Sequence, residues 1–287
     1  MILNSLKCNF PETELYHYTS LNTLVSIIQN KTIRLTDYRF LNDTRELIYG
    51  LEKIETIAKK YDDEYSKIIL SAINNIKSGK IIINTIDKKE DVNYLRQTIS
   101  NANFYVLSLS QKRDELPLWK MYAKHGCCIK FNGRKMLQFF HSFRDDHFND
   151  GIHNISNGEV IYGDDQIYQY LVNTLISEKN PFMLYDELLQ IALKCKCKSF
   201  AYEKEFRIAF PFSKKQISDS EKFEFIVSDD IIKPQIELKN FPVDELIEEI
   251  IISPFLSRDI VKIGVDELLK VNGLSKTLTT FSEIQIR

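Results

Sequence analysis

The residues from Ser199 to Phe210 alternate in a pattern that points to a β-strand. Successive side chains of a strand point to opposite faces. One face therefore carries Phe200, Tyr202, Lys204, Phe206, Ile208 and Phe210, and the other Ala201, Glu203, Glu205, Arg207 and Ala209. The first face is almost wholly apolar and belongs on a core. The second sets two carboxylates beside a guanidinium. That suits an active-site wall, and equally a solvated sheet surface laced with ion pairs.

Other strand-like segments are Leu15–Tyr18, Lys31–Thr36, Phe104–Ser110, Cys127–Phe131, Phe223–Val227, Ile247–Ile252 and Lys276–Ile286. Between them lie helical patterns. Ser20 can cap a helix whose apolar residues Leu21, Leu24, Val25 and Ile28 recur at helical spacing. Asp43 with Glu46 resembles a capping box opening a helix through Lys60. Tyr61–Lys77 and Glu90–Asn101 also read as helical, so residues 44–101 form a mostly helical insertion or subdomain within a single domain, 1–287. Pro117 opens a short helix, Leu118–Lys124. Further helices are expected at Gln166–Glu178, Phe182–Lys196 and Ser257–Asn272. Strands scattered among helices without a βαβ repeat indicate an α+β fold with a mixed or antiparallel sheet core.

The bulk composition excludes several classes. Hydrophobic residues at 44% and charged residues at 27% are ordinary globular values. No stretch approaches the roughly 18 apolar residues of a membrane span, and Met1–Lys7 lacks the apolar centre of a signal peptide. A net charge of -2 disfavours sequence-independent nucleic-acid binding, although a local basic groove is compatible with it. The five cysteines have neither disulfide-framework nor zinc spacing, and read as small buried hydrophobes of a reducing compartment. The expectation is a cytoplasmic protein with no membrane partner. No histidine pair has metal-binding helical spacing, so no metal is expected. Nucleotide-binding glycine loops and hydrolase motifs are also missing from the sequence.

Three places hold candidate chemistry. His17 ends the first strand just before a helix, where backbone N–H groups, a hydroxyl and an imidazole meet and can hold a phosphate or ribose. A histidine satisfied by backbone in a turn is the plain alternative. Val106, Ser108 and Ser110 share one face of their strand, and adjacent hydroxyls there can position a ribose or a carboxylate. Trp119 and Tyr122 are three apart on a helix and can stack on a base, or simply fill a core. The third place is the Glu203–Glu205–Arg207 face. Mutual repulsion there raises carboxylate pKa values and Arg207 opposes it, leaving Glu205 ionised.

Five segments together resemble the bacterial domain-of-unknown-function family 2971. They are Leu15–Ser20, Asp37–Asp43 with Glu46, Ser108–Ala123, Tyr202–Arg207 and Glu249–Pro254. The same order of a His-Tyr-Thr strand, a Ser-x-Ser strand and a late Glu-x-Glu strand is similar to the ADP-ribosyltransferase superfamily. That resemblance implies that superfamily's fold, NAD as substrate and no metal. It implies His17 as the NAD-holding residue of the catalytic site, and Glu205 as its catalytic carboxylate. Tyr16, Thr19, Ser108 and Ser110 would support the NAD, and Tyr38 would stack on nicotinamide. Trp119, Tyr122, Glu203 and Arg207 would contact the substrate or acceptor. A nucleic-acid or protein acceptor and a toxin or defence role accompany the resemblance. Cleavage of the nicotinamide–ribose bond passes through an oxocarbenium-like state that a carboxylate stabilises.

Two other readings use the same residues. A non-catalytic nucleotide- or protein-binding sensor would employ the Glu-Lys-Glu-Phe-Arg face as a binding surface. A metal-dependent nuclease would gather Asp43, Glu203 and Glu205.

Overall fold

A computed structural model describes residues 13–41, 46–77, 103–147, 155–177, 181–212, 221–228 and 230–286. The chain begins β1 (Glu14–Ser20), α1 (Leu21–Asn30), β2 (Ile33–Asp37), α2 (Glu46–Tyr61), α3 (Glu64–Lys77) and β3 (Asn103–Ser110). Then follow α4 (Leu116–Tyr122), β4 (Gly126–Asn132), α5 (Gly133–His147), β5 (Ser156–Glu159), α6 (Asp164–Ser177) and α7 (Pro181–Lys194). The last described elements are β6 (Glu205–Phe212), β7 (Glu221–Ser228), β8 (Ile231–Leu238), α8 (Val243–Leu246), β9 (Ile247–Ile252), α9 (Arg258–Val271) and β10 (Leu278–Phe281). The class is α+β, with open, mixed and mostly antiparallel strand pairing. Two compact units divide the chain: Met1–Ile33, Ser108–Ile155 and Lys239–Arg287 form the first, Arg34–Leu107 and Ser156–Leu238 the second.

In the first unit β4 lies between β1 and β9, antiparallel to both, and β10 joins β9 in parallel. Both edges of β4 are therefore paired, and Cys127, Cys128, Ile129 and Phe131 have no exposed surface. The registers Tyr18↔Cys128 and Cys128↔Ile251 place these three on one face, where they pack with Tyr16, Leu118 and Trp119. Gly126 stands opposite Ser20, and a Cβ there would fall 1.9 Å from the Thr19 carbonyl oxygen. Only glycine permits so close a strand approach. Ser20 caps α1 as its sequence indicates, its hydroxyl accepting from the Thr23 N–H at 3.1 Å.

The second unit pairs β7 with β8, β8 with β2, and β2 with β3, while β6 pairs with β3 and β5. Arg34 on β2 ties this sheet together, reaching Glu224 of β7 at 2.5 Å and Glu237 of β8 at 2.6 Å. Helices α2, α3, α6 and α7 share a core that includes Ile54, Ile57, Ile69, Ile73, Ile167, Leu171, Leu188 and Ile191. Gly50 allows α2 to touch α7, since a Cβ there would lie 2.1 Å from the Ala192 carbonyl oxygen.

Several expectations change. The strand expected from Ser199 starts only at Glu205. Lys198–Glu203 is a 3-10 turn, and Lys204 has a positive φ of 43° that breaks the alternation. The charged face of β6 is no solvated surface: Glu205 and Arg207 are as buried as Phe206 and Ile208. The helix expected from Tyr61 begins at Glu64, after Asp62 at φ 47°. The last strand shortens to Leu278–Phe281. Helix α5 and strands β5 and β8 are additional. Asp43, the side chain of Glu46 and the helix expected at Glu90–Asn101 lie outside the described residues.

Candidate functional site

Lys196, Glu203, Glu205 and Arg207 form a buried charge cluster in the second unit, none more than 6% exposed. Residues two apart on a strand share a face, so Arg207 lies beside Glu205 on β6. The Arg207 Nε donates to Glu205 Oε1 at 2.7 Å and Nη2 donates to Oε2 at 3.0 Å. Nη1 donates to the Leu193 carbonyl at the end of α7, at 2.6 Å. The left-handed turn at Lys204 brings Glu203 round to the same place. Lys196 Nζ then bridges the two carboxylates, 2.6 Å from Glu203 and 3.0 Å from Glu205.

Among the described residues the cluster pairs two cations with two anions, and such pairing is how buried charges leave water together. Burial works against the Lys196 ammonium, yet Glu205 and Glu203 outweigh it and raise its pKa. The Phe200 ring lies 4.8 Å beneath the same ammonium. The Tyr162 hydroxyl accepts from the Glu205 N–H at 3.1 Å, and burial pushes that phenol up to about 12. Backbone closes the frame: the Val160 N–H donates to the Glu205 carbonyl at 2.8 Å. The result is a desolvated carboxylate with fixed orientation.

His17 belongs to the first unit. Its face of the sheet is set by the registers His17↔Ile129 and Ile129↔Ile250, two neighbours with no exposed surface. The crowding desolvates the imidazole and lowers its pKa, against the opposing pull of the Ser108 carbonyl. That carbonyl is 3.4 Å from Nδ1 and can only accept, so Nδ1 carries the hydrogen and Nε2 is the acceptor nitrogen. Ser108 thus meets His17 through its backbone carbonyl. Thr19 shares the His17 face, whereas Tyr16 points to the opposite one, where its hydroxyl donates to Glu14 Oε2 at 2.7 Å.

The remaining sequence-selected residues are structural in their surroundings. The Ser110 hydroxyl accepts from the Lys112 N–H at 3.0 Å and shapes the loop after β3. Trp119 is completely buried and meets Tyr18 edge-on, with ring centroids 4.9 Å apart, and Tyr122 packs against the same cluster. The tryptophan therefore fills a core and offers no open face for a base. Tyr38, in the second unit, meets Phe104 edge-on at 6.2 Å.

Three partners in these sites were not singled out by sequence. Lys196 and Tyr162 complete the charge cluster, and the only signal for Lys196 is that it is one of two lysines in the otherwise apolar run Ile191–Cys197. Asp114 accepts from Trp119 Nε1 at 2.6 Å, from the Ser282 hydroxyl at 2.7 Å and from the Glu283 N–H at 2.7 Å. Among the described residues no three His, Cys, Asp or Glu side chains converge as metal ligands, and no helix is long and apolar enough to cross a membrane.

No curated protein and no solved structure matches the chain. A family model does: over residues 118–208, from α4 into β6, the chain is similar to the family described as "Protein of unknown function (DUF2971)", and that stretch holds all four members of the buried charge cluster.

Proposed function

We propose that this protein is an ADP-ribosyltransferase-like enzyme that cleaves the nicotinamide–ribose bond of NAD and transfers ADP-ribose to a nucleic-acid or protein acceptor. Such an activity fits a toxin or defence effector. Glu205 is the catalytic carboxylate and His17 holds the NAD. The observation that carries this reading is the fixed, desolvated Glu205 side chain, oriented by Arg207 and Lys196. A carboxylate already held in place stabilises a developing ribosyl cation without reorganising at the moment of reaction. In the step, the C1′–N bond breaks with its electron pair leaving on neutral nicotinamide. The acceptor's nucleophilic atom then bonds to C1′ and gives up its proton. Removing one such preorganised group typically costs about 3 kcal/mol, roughly a hundredfold in rate.

The test is incubation of wild type with adenine-labelled NAD in a cell lysate, with Glu205→Gln as control and its folding checked by circular dichroism. Nicotinamide release and acceptor labelling by wild type, reduced about a hundredfold in folded Glu205→Gln, support the proposal. Neither release nor labelling by wild type overturns it.

One observation favours a second reading, a non-catalytic nucleotide- or protein-binding module. Glu205 accepts from two cations inside a buried cluster, an arrangement that also serves purely to hold β6 against α7. Equal cellular phenotypes for wild type and Glu205→Gln would select that reading.

A further inference from the structure

Lys194 and Lys196 flank Cys195 at the end of α7, and both side chains are buried, at 5% and 6% exposure. Their surroundings differ in one respect. Lys196 has two carboxylates within 3.0 Å. Lys194 has none among the described residues; its Nζ has a single polar side-chain partner, the Tyr170 hydroxyl at 3.3 Å, and lies 4.8 Å from the centre of the Tyr170 ring. A buried ammonium without a counter-charge is costly, and such groups are ordinarily paired or bind a ligand. The last turn of a helix favours a cation, but by no more than a fraction of that cost.

A second feature of the same unit adjoins it. Gly158 in β5 has φ +146°, a conformation that residues with a side chain rarely adopt. Chain neighbours apart, the atoms of the described residues within 4 Å of where its Cβ would stand are Lys194 Cδ at 3.7 Å and Nζ at 3.9 Å. Gly158 is half-buried and Tyr170 is 43% exposed, so solvent reaches this place from the Tyr170 side. We propose that Lys194, the Tyr170 hydroxyl and the gap at Gly158 form a subsite for a phosphoryl group. The ammonium supplies the charge, the phenol a second donor, and the missing side chain the room. Backbone holds the subsite in place, since the Ile161 N–H donates to the Lys194 carbonyl at 2.7 Å. The inference does not depend on the transferase reading.

Calorimetric titration of the full chain with inorganic phosphate, pyrophosphate and ADP, at ionic strength fixed with chloride, tests it. Saturable binding of at least one of these is expected. Lys194→Met should weaken it by roughly ten- to a hundredfold, the usual loss for one charge-assisted contact, and Tyr170→Phe by less. ADP bound more tightly than pyrophosphate identifies a nucleotide as the source of the phosphoryl group; equal affinities identify a free phosphate. Lys194→Met is expected to fold, because it removes a charge that has no counter-ion among the described residues; should it not, Tyr170→Phe carries the comparison. No saturable binding to wild type, or unchanged binding in the folded variants, overturns the proposal. ADP has no nicotinamide bond, so this result is separate from whether NAD is cleaved.

Discussion

Arg207 holds Glu205 with two parallel hydrogen bonds, Nε to Oε1 at 2.7 Å and Nη2 to Oε2 at 3.0 Å, from two residues along the same strand. The strand itself sets their spacing, so little chain ordering is needed to form the pair. Removing one member is different. Arg207→Met leaves the Glu205 carboxylate desolvated with Lys196 as its remaining cation, and it also frees the Leu193 carbonyl. Breaking a buried pair in this way costs on the order of 3–5 kcal/mol. Urea unfolding of Arg207→Met should therefore show a loss of that size, and Arg207→Lys a smaller one, since charge remains but the fork is lost. A loss below about 1 kcal/mol in Arg207→Met would mean that the pair is exchanging with water.

His17 predicts an acid-sensitive fold. Desolvation holds its pKa below the ordinary value, so the folded chain takes up the imidazole proton less readily than the unfolded chain does. Below the unfolded value of about 6.5 the unfolded state binds more protons, and stability falls with pH. Above it the neutral ring's contribution is complete. The loss amounts to at most about 1.4 kcal/mol per pH unit, down to the folded-state pKa. Unfolding free energies measured from pH 7.5 to 5 should show this slope in wild type. His17→Gln, which keeps a donor for the Ser108 carbonyl, should flatten it. An equal slope in both proteins would assign the acid sensitivity elsewhere.

Gly50 sets helix propensity against packing. Alanine is intrinsically better than glycine in a helix by about 1 kcal/mol. Here a Cβ would meet the Ala192 backbone, with the carbonyl oxygen at 2.1 Å and the Cα at 2.6 Å. Backbone cannot rotate aside, so α2 and α7 must separate and lose contacts in their shared core. Overpacking of this kind costs about 1–3 kcal/mol. Against rigid backbone the cost falls at the upper end of that range, so Gly50→Ala should lower the unfolding free energy by a net of about 2 kcal/mol, read as a lower urea midpoint. A variant as stable as wild type would show that the helices adjust freely.

The parts of the fold that were legible are those set by local rules. Ser20 and the periodicity of Leu21, Leu24 and Ile28 located α1 because capping and amphipathicity are written in adjacent residues. The segment Ile247–Ile252 read as a strand because it is apolar and β-branched, and it is β9. Strand β8 was hidden by Pro234 and by the polar residues Gln235 and Glu237, which are buried only because Thr36 and Arg34 lie beside them. The end of the Ser199–Phe210 alternation was equally hidden, since a lysine at positive φ has no compositional mark. The Glu-x-Glu-x-Arg pattern names three of the four residues of the buried charge cluster. Its burial was not legible, because it depends on Lys196 arriving from a different element to neutralise the second carboxylate.

Asp114 makes the sharpest prediction for the first unit, since one side chain serves three donors from separated parts of the sequence. Its Oδ1 accepts from Trp119 Nε1 and the Ser282 hydroxyl, and its Oδ2 from the Glu283 N–H. Trp119 has no exposed surface, so Asp114→Ala leaves an indole N–H buried without its acceptor, which costs about 1–3 kcal/mol. The Ser282–Ile284 segment loses two of its hydrogen bonds at the same time, keeping that of the Ser282 N–H to the Ile252 carbonyl, and Ile284 packs on the cluster that holds the indole. Asp114→Asn is no full remedy, because its amide nitrogen would face either the Glu283 N–H or the indole N–H, donor against donor. Trp119 is the only tryptophan, so intrinsic fluorescence reports this site alone. Both variants should shift the emission to longer wavelength and increase quenching by acrylamide, Asp114→Ala the more. Unchanged emission and quenching in folded Asp114→Ala would show that the indole is held by packing with Tyr18 and Leu118, and that the carboxylate does not fasten the C-terminal segment over it.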